Sequence, residues 1–578
     1  MINFNFRVLS FLFCTLLFSS KSNSQTAHTD WFKSIGGVSD QTGDAIKVDG
    51  SGNVYSAGSF QGLVNFSPGE SATSTSDYDA YICKFDTSGL FDWAYTYSGT
   101  NNQNIYDLDI DASDNLYFSG VFQGAVDFDP SSATVLLQAE YSEGFVSKLN
   151  SQGGFEWAKK FESSDTSIVK SMILDPYGNV FVAGYFDGTT DFDPDTGVFN
   201  LTSGEHGDLF ICKLDGDGDF LWANSYPGNE MYSSDINLAM DNQGSVIASG
   251  EFYDTVDFNA GPGVYEFIPY STISSDIFVL KLKPNGDFKW AKQIGGPRID
   301  LVRDVVVDDN NNVYLTGSFQ EECDFDPNEG IELLETESTF EQDIFLCKLN
   351  WLGDFEWVKH FKGFGLQLGT GLALDDSTNI YITGNFWSSV DFDPHLTQGY
   401  AVSSEGMDDV FVTKLDVDGN FRWSDGYGST LPDVPGAIAI DENYNIYTTG
   451  VFQDTMWSNM EDSVSLGFSL GGRDAFIHKL YQGPEIIDED TSGVGMGEIE
   501  WELALFPNPT MCNFTIDLGA EMTDVQIEIT NSIGQLIERR NCEDGALHEF
   551  NLSGGSGLYF VKVKTSMGYE KRYKLVKM

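Results

Sequence analysis

Hydrophobic and polar residues alternate in short runs along most of the chain, and these runs come in pairs around polar turns that contain glycine. In the first such block, residues 45–48 and 53–60 flank a turn at 49–52, and residues 79–85 and 90–95 flank a turn at 86–89. Paired runs around such turns predict antiparallel hairpins. No segment has the sustained 3.6-residue apolar period of a helix. Each block therefore predicts four β-strands.

This block occurs seven times, at intervals of 62 to 67 residues. Four features recur in every copy. The first turn begins at Asp49, Asp111, Asp175, Asp241, Asp308, Asp375 and Asp441. A glycine follows nine residues later, at Gly58, Gly120, Gly184, Gly250, Gly317, Gly384 and Gly450, and a phenylalanine stands two residues after each glycine. The third strand carries Lys84, Lys148, Lys213, Lys281, Lys348, Lys414 and Lys479. Regular spacing of this kind predicts one structural unit per repeat.

The two ends of the repeat region predict how the units join. The fourth strand carries a tryptophan at Trp93, Trp157, Trp222, Trp290, Trp357 and Trp423. The seventh tryptophan, Trp31, precedes the first repeat, and the last repeat stops after its third strand at Leu480. We therefore predict that the N-terminal strand completes the last unit and so removes two exposed sheet edges. Four-stranded units repeated radially indicate an all-β, seven-bladed β-propeller over residues 25–483.

The repeat resembles the SBBP repeat of secreted bacterial β-propeller proteins, over roughly residues 31–483. It lacks the signatures of WD and kelch repeats and the Asp-box of sialidases.

The first 24 residues have the features of a signal peptide. Arg7 supplies the positive charge, residues 8–20 form a short apolar run, and Ser22 and Ser24 frame a small-residue cleavage site before Gln25. Thirteen residues are too few to span a bilayer as a helix. We predict export, and no transmembrane segment in the mature chain.

The chain changes character after residue 483. Residues 484–500 are acidic and rich in glycine, which is typical of a linker. Residues 501–578 contain alternating runs that predict a small Ig-like β-sandwich.

This last segment resembles the type A sorting domain of the type IX secretion system of Bacteroidetes. The matching residues are Pro507, Asn508 and Pro509 at its start, Gly557 and Tyr559 before the penultimate strand, and Lys574 and Lys577 at the end. Cys512 departs from the family, which usually has a turn-forming residue there. The resemblance implies the type IX machinery as a partner, and a final location that is either secreted or attached to the outer-membrane surface.

A formal net charge of −57, from 88 acidic and 31 basic residues, narrows the range of partners. Such a charge repels nucleic acids and anionic membranes and attracts cations. We expect no nucleic-acid partner. A surface that keeps an extracellular protein soluble explains the same charge without any binding site.

The cysteines predict little chemistry. Cys83, Cys212 and Cys347 hold one position in different repeats, too far apart to bridge, and are typical of small buried apolar residues. Cys512 and Cys542 share the C-terminal segment and could pair in an oxidising compartment, but spacing alone leaves this open.

Repeated acid pairs offer a candidate metal site. Four repeats contain Asp-Phe-Asp-Pro after the second strand, with the acids Asp127 and Asp129, Asp191 and Asp193, Asp324 and Asp326, and Asp391 and Asp393. In an extended segment the two acids share a face, and paired carboxylates without histidine suit Ca²⁺. The alternative is that these aspartates cap backbone amides in turns, which requires no metal.

A second candidate site is a ring at the innermost strand. The position four residues before each repeat aspartate is small or polar: Ala45, Asp107, Ser171, Asn237, Asp304, Gly371 and Ala437. In a propeller this ring lines the central channel, where it would face water, a cation or a sugar hydroxyl.

Catalytic motifs are missing. The chain has no HExxH and no phosphate loop. We predict a surface or released binding module for a glycan or a protein rather than an enzyme. Two alternatives stay open, a glycan-active hydrolase or lyase that uses carboxylates and a structural surface protein stiffened by calcium.

Overall fold

The computed structural model describes residues 27–75, 77–227, 235–271, 274–395, 399–458, 465–482, 504–506, 513–522, 525–531, 536–542, 545–552, 557–564 and 570–577. The chain divides into two compact units, Met1–Ile486 and Ile487–Met578. Over the described residues the regular elements are strands, without a helix, which confirms the predicted all-β class. The predicted signal peptide (1–24) and linker (484–500) lie outside the described residues.

The strands of the first unit follow the repeats. Strand β1 spans Ala27–Gly37. The first repeat contains β2 (Ala45–Val48), β3 (Val54–Phe60), β4 (Leu63–Ser67), β5 (Glu70–Thr73), β6 (Asp79–Phe85) and β7 (Phe91–Tyr97). The second contains β8 (Asn104–Ile110), β9 (Leu116–Asp127), β10 (Leu136–Leu149) and β11 (Phe155–Lys160). The third contains β12 (Glu162–Ser163), β13 (Ser167–Leu174), β14 (Val180–Phe186), β15 (Thr189–Asp191), β16 (Asn200–Thr202), β17 (Asp208–Leu214) and β18 (Phe220–Tyr226). The fourth contains β19 (Ile236–Met240), β20 (Val246–Phe252), β21 (Val256–Asp257), β22 (Glu266–Phe267), β23 (Asp276–Leu282) and β24 (Phe288–Ile294).

The remaining repeats have the same plan. The fifth contains β25 (Leu301–Val307), β26 (Val313–Phe319), β27 (Glu322–Asp324), β28 (Leu333–Glu335), β29 (Asp343–Leu349) and β30 (Phe355–Phe361). The sixth contains β31 (Gln367–Leu374), β32 (Ile380–Phe386), β33 (Ser389–Asp391), β34 (Ala401–Ser403), β35 (Asp409–Leu415) and β36 (Phe421–Gly428). The seventh contains β37 (Val434–Ile440), β38 (Ile446–Phe452), β39 (Thr455–Ser458), β40 (Ser465–Phe468) and β41 (Asp474–Gln482).

Each repeat corresponds to one four-stranded antiparallel sheet, and in sheet 7 the fourth strand is β1. Sheets 1 to 7 contain the orders β2-β3-β6-β7, β8-β9-β10-β11, β13-β14-β17-β18, β19-β20-β23-β24, β25-β26-β29-β30, β31-β32-β35-β36 and β37-β38-β41-β1. Beyond β36 the order continues with β39-β40, and beyond β1 it continues with β4-β5. The first strand of each order is called the inner strand and the fourth the outer strand. Each inner strand contacts the inner strands of two other sheets, and β37 of sheet 7 contacts β2 of sheet 1.

The N-terminal strand β1 is the outer strand of sheet 7, as predicted. It pairs antiparallel with β41, with Trp31 opposite Lys479. The Thr29 hydroxyl also lies 2.9 Å from Nε2 of His478. Sheet 7 is therefore built from both ends of the repeat region.

The repeat aspartate closes the turn after each inner strand. Asp49 Oδ1 accepts hydrogen bonds from the backbone N–H groups of Ser51 (2.9 Å) and Asn53 (2.8 Å), and Oδ2 accepts from the Asn53 amide (2.7 Å). All seven repeat aspartates cap their turns through Oδ1 in this way, the others being Asp111, Asp175, Asp241, Asp308, Asp375 and Asp441. The aspartate is recurrent because each turn needs this cap.

Tryptophans of the outer strands tie neighbouring sheets together. The indole N–H of Trp157 donates to Gly216 O and that of Trp222 donates to Pro284 O, each at 3.2 Å and each in the next sheet. Trp31 of sheet 7 donates in the same way to Thr87 O of sheet 1, at 3.2 Å. Between sheets the apolar core is continuous, since Ile82 of sheet 1 packs in one cluster with Phe118 of sheet 2.

The second unit contains two sheets that share one core. Its strands are β42 (Ala504–Phe506), β43 (Asn513–Met522), β44 (Val525–Asn531), β45 (Leu536–Cys542), β46 (Gly545–Asn551), β47 (Gly557–Lys564) and β48 (Glu570–Lys577). The sheet orders are β42-β43-β46 and β45-β44-β47-β48. Ile516 and Phe550 of the first sheet pack with Ile527 and Val561 of the second.

Candidate functional site

The seven inner strands line a cavity of about 760 Å³. All seven members of the sequence-predicted ring lie in its wall: Ala45, Asp107, Ser171, Asn237, Asp304, Gly371 and Ala437. The pattern of small and polar residues on this strand therefore marks the cavity.

A β-bulge in the inner strand adds a second side chain to the cavity wall. In sheet 2, Ile105 pairs with Gly120 and Asp107 pairs with Ser119, so Tyr106 has no residue opposite it. The same shift occurs in sheets 3, 5, 6 and 7, where the extra residues are Lys170, Arg303, Thr370 and Gly436. These five residues also line the cavity. A bulge turns two consecutive residues to the same side, which a regular strand does not do.

The recurrent glycine of the second strand makes room for this distortion. A methyl group on Gly120 would overlap the carbonyl oxygen of Asn104, and one on Gly317 would overlap that of Leu301. The glycines at the same position in sheets 3, 6 and 7 meet a carbonyl of the facing strand in the same way, and Gly58 of sheet 1 meets the carbonyl of Thr42, which precedes β2. A larger residue is thus excluded where the inner strand bends.

Polar side chains of the ring link one inner strand to the next. Asp107 Oδ2 accepts a hydrogen bond from Met172 N (2.8 Å), and Ser171 Oγ accepts from Leu238 N (3.1 Å). Asp304 Oδ2 accepts from Leu372 N at 2.7 Å. Each bond satisfies a backbone N–H of the neighbouring sheet that faces the cavity.

Burial raises the pKa of several cavity acids. It raises the pKa of Asp107 and of Asp44 to about 6, and that of Asp304 to about 7, because the charged form loses hydration. Burial also disfavours the charged form of Lys47, but the carboxylates of Asp109 and Asp107 outweigh this effect and raise its pKa. Lys47 therefore stays protonated, next to acids such as Asp107 whose pKa is raised.

The cavity wall mixes hydrogen-bond donors and acceptors. Its acids are Asp44, Asp107, Asp109, Asp235 and Asp304, and its bases are Lys47, Lys170 and Arg303. Arg303 contacts Glu251 (2.8 Å) and Asp235 (3.3 Å), and the Lys170 ammonium lies 3.9 Å from the centre of the Tyr106 ring. Interleaved acceptors and donors suit a ligand that carries both, such as a polyol or a peptide backbone.

Two smaller cavities adjoin the central one. A cavity of about 190 Å³ shares Tyr106 and Lys170 with it and is further lined by His206. A cavity of about 290 Å³ shares Asp44 and Pro435. The central cavity thus shares wall residues with each of the two smaller cavities.

The Asp-Phe-Asp-Pro acids lie in separate hairpins outside this cavity. Asp191 Oδ1 accepts hydrogen bonds from the backbone N–H groups of Asp193 (3.1 Å) and Phe199 (2.8 Å). The first acids of the other copies, Asp127, Asp324 and Asp391, do the same. The second acids, Asp129, Asp193, Asp326 and Asp393, each accept from the N–H two residues later. All four pairs therefore cap backbone amides, and the intervening phenylalanines are buried.

Calcium binding by these acids stays a prediction. The described part of the chain contains no group of three or more His, Cys, Asp or Glu side chains arranged to hold a metal.

One set of buried acids was not predicted from the sequence. The third strand of every sheet carries a buried acid, which is Asp79, Glu143, Asp208, Asp276, Asp343, Asp409 or Asp474. Asp343 Oδ2 lies 2.6 Å from His360 Nε2, and Glu143 lies 2.8 Å from the Lys160 ammonium. Asp208 and Asp409 cap loop amides. Their signal was in the sequence, because each stands five residues before the repeat lysine.

Two family profiles match the chain. Residues 504–578 match the secretion system C-terminal sorting domain, and residues 289–318 match the SBBP β-propeller repeat. The second match covers β24, β25 and β26, which form the junction of sheets 4 and 5. The chain thus contains an SBBP repeat and a type IX sorting domain. The sorting domain marks it for export to the cell surface by the type IX secretion system. Among the described residues no helix is long and apolar enough to cross a membrane.

Similar proteins are distant. An uncharacterized WD repeat-containing protein of Acanthamoeba polyphaga mimivirus is 21% identical over 521 residues, which are 76% of this chain and 37% of the relative. The chain therefore spans little more than a third of the curated relative it matches. A fungal alcohol oxidase in complex with copper has a TM-score of 0.37 at 11% identity, covering 96% of this chain and 100% of that one. PorZ, a surface component of the type IX secretion system of Porphyromonas gingivalis, has a TM-score of 0.24 at 9% identity, covering 95% and 100%.

Part of the sorting motif lies in described strands. Gly557 and Tyr559 belong to β47, and Lys574 and Lys577 belong to β48. Tyr559 is buried and pairs with Asn531. Lys577 is buried and donates to Leu552 O at 2.8 Å. The terminal lysine thus helps to hold the domain together.

Three sorting-motif residues, Pro507, Asn508 and Pro509, lie outside the described residues. So does Cys512, and with it the question of its pairing with Cys542. The other predicted cysteines, Cys83, Cys212 and Cys347, are buried and free.

Proposed function

We propose that this SBBP-repeat protein is an extracellular binding or adhesion module whose central cavity holds the ligand, a glycan or a protein segment. The observation that carries the proposal is the bulge in five inner strands, which places two consecutive residues of each strand in the cavity wall. Such bulges re-aim side chains toward functional sites. A cavity wall of this kind requires a glycine in the neighbouring strand of each bulged sheet. Ligand binding explains such a wall better than a purely structural role does.

We further propose that the seven sheets are the blades of one closed seven-bladed β-propeller. Support comes from the contact of β37 with β2 and from Trp31, which reaches from sheet 7 to sheet 1. For the second unit we propose an Ig-like sandwich, which the shared core of its two sheets supports. The propeller is then the functional cargo and the sorting domain is its export tag, recognised by the type IX machinery.

Binding rather than catalysis is our proposal for the cavity acids. A general acid needs a free oxygen aimed at its substrate. Both oxygens of Asp304 accept backbone hydrogen bonds, from Val305 N (2.8 Å) and from Leu372 N (2.7 Å). Those of Asp107 are occupied in the same manner, by Leu108 N and Met172 N. Acids committed to the backbone in this way are suited to shaping a cavity.

Binding of the mature protein to a glycan array and to a panel of purified extracellular proteins tests the function. The variant Thr370→Trp places a bulky side chain in the cavity. The matched control is Thr196→Trp, in the exposed hairpin of β15 and β16 in the third repeat. We expect at least one probe to bind, with a dissociation constant raised about tenfold or more by Thr370→Trp, about 1.4 kcal/mol, and unchanged by Thr196→Trp. Equal binding by both variants would place the site outside the cavity.

A further inference from the structure

An exposed tryptophan ring packs against the loop that leads into the inner strand of sheet 6. Trp387 follows β32 and is 51% exposed. The position that a Cβ on Gly365 would take lies 3.2 Å from Cε3 and 3.7 Å from Cδ2 of this ring. Gly365 also has φ +105, which favours glycine. The indole therefore packs against Gly365, and its large exposure leaves much of the ring open to solvent.

Hydrogen bonds between loops hold this ring in place. Gln342 N donates to Gly365 O (3.1 Å), and Phe364 N donates to Ser389 O (3.2 Å). On the far side, Ser388 N donates to the Ser404 hydroxyl at 3.0 Å. The loops around Trp387 are thus linked to one another by hydrogen bonds, which restrict the backbone that carries the indole.

Trp387 and Gly365 lie close to the strand that leads into the cavity. Leu368 and Thr370 stand two residues apart in the inner strand of sheet 6, so their side chains share a face, and Leu366 immediately precedes this strand. Leu368 and Thr370 line the cavity, whereas Leu366 is exposed next to Gly365. A chain-like ligand that rests on Trp387 can therefore run along this strand into the cavity.

We propose that Trp387 is a stacking platform for a sugar ring of a neutral glycan chain, whose next residues enter the central cavity; this inference rests on the proposed binding function. The apolar face of a pyranose stacks on a flat, open aromatic ring, while its hydroxyls both donate and accept hydrogen bonds. The cavity wall offers both partners, with the Asp235 carboxylate and the Lys170 ammonium among them. A net charge of −57 disfavours anionic polysaccharides. A glycan fits these features better than an acidic polymer or a bulky apolar partner.

Affinity gel electrophoresis of the mature protein tests the platform. The gels contain laminarin, xyloglucan or galactomannan as neutral probes and alginate as the anionic one. The variants are Trp387→Ala and Trp387→Phe, and the matched control is Trp351→Ala, which removes a tryptophan of similar exposure (49%) from the turn after the third strand of sheet 5. We expect retardation by at least one neutral glycan and none by alginate. Trp387→Ala should weaken this binding about tenfold, Trp387→Phe less, and Trp351→Ala not at all.

The outcomes separate this inference from the proposed function. If Thr370→Trp abolishes glycan binding and Trp387→Ala leaves it unchanged, the cavity binds the ligand and the platform is refuted. If only peptides or proteins bind, and Trp387→Ala weakens them, the platform serves a protein partner and the glycan assignment is overturned. If a glycan binds and neither variant matters, both the platform and the cavity are excluded as its site.

Discussion

The carboxylate of Asp304 accepts a hydrogen bond from the backbone N–H of Leu372 at 2.7 Å, across the boundary between sheets 5 and 6. Its other oxygen accepts from Val305 N within its own strand. The pair joins two inner strands at the wall of the cavity, in a setting where burial raises the pKa of the carboxyl from 3.8 to about 7.

This raised pKa predicts that the protein is more stable in mildly acidic solution. Between pH 4 and pH 7 the folded state keeps the Asp304 proton and the unfolded state releases it, so lowering the pH favours folding. Asp44 and Asp107 act in the same direction. We expect a higher free energy of unfolding at pH 5 than at pH 8 in urea denaturation. Asp304→Asn should reduce the difference, and an undiminished difference in this variant would contradict the assignment.

The glycine opposite the bulge should tolerate no side chain. Gly317→Ala places a methyl group against the Leu301 carbonyl, so either the bulge or the strand pairing must yield. We expect a loss of about 2 kcal/mol or more in the free energy of unfolding. Gly50→Ala is the control, because a Cβ there meets only an Asp114 oxygen at 3.7 Å. Equal effects of the two substitutions would show that the bulge does not need glycine.

Removal of the N-terminal strand should destabilise the first unit more than removal of the sorting domain. Deleting residues 25–35 exposes the edge of β41 and removes the Trp31 bond to Thr87. Deleting residues 484–578 leaves every strand of sheets 1 to 7 intact. Melting temperatures measured by calorimetry compare the two truncations. Equal values would mean that β1 contributes nothing to closing sheet 7.

The sorting domain should be required for passage across the outer membrane. A chain without residues 501–578 is expected to accumulate in the periplasm of its native host, because this segment matches the sorting-domain family. Cell fractionation with immunoblotting measures the distribution. Normal amounts of the truncated chain on the surface or in the medium would refute the requirement.

Calcium should stabilise the protein no more than sodium at matched ionic strength. Asp191 and Asp193 already cap backbone amides, which explains their recurrence without a metal. Both salts relieve the repulsion of a −57 charge by screening. Asp191→Asn combined with Asp193→Asn should lower the melting temperature equally in the two salts. A larger rise with calcium that this double variant abolishes would instead establish a calcium site.

The repeat made most of the fold predictable. Turn aspartates and alternating runs located the four strands of each sheet, and the position of Trp31 predicted that β1 would complete sheet 7. These features succeed because each is local, a capped turn or a two-residue period, and is repeated often enough to average out exceptions.

The cavity was only half predictable. The ring that includes Asp107 and Asp304 was located from its polarity, but strand alternation places Lys170 and Arg303 on the opposite face. The bulge turns these two residues toward the cavity instead. The sequence feature that accompanies the bulge is the glycine of the neighbouring strand, and its relation to the bulge can be recognised only from the pairing of the two strands. The Trp387 platform depends on contacts between loops of two repeats, which no local pattern encodes.

The pairing of β1 with β41 also sets an order of events for a newly made chain. Thr29 and His478, which meet in the finished sheet, are separated by 449 positions along the polypeptide. Since synthesis runs from the N-terminus, β1 emerges first and can pair with β4 of the first repeat, but its pairing with β41 must wait until nearly the whole repeat region has followed it. Ring closure is then a late, long-range step and a slow one. A chain that stops before β41 would leave β1 without this partner. Pairing of β1 with β41 therefore occurs only in molecules that contain the whole repeat region.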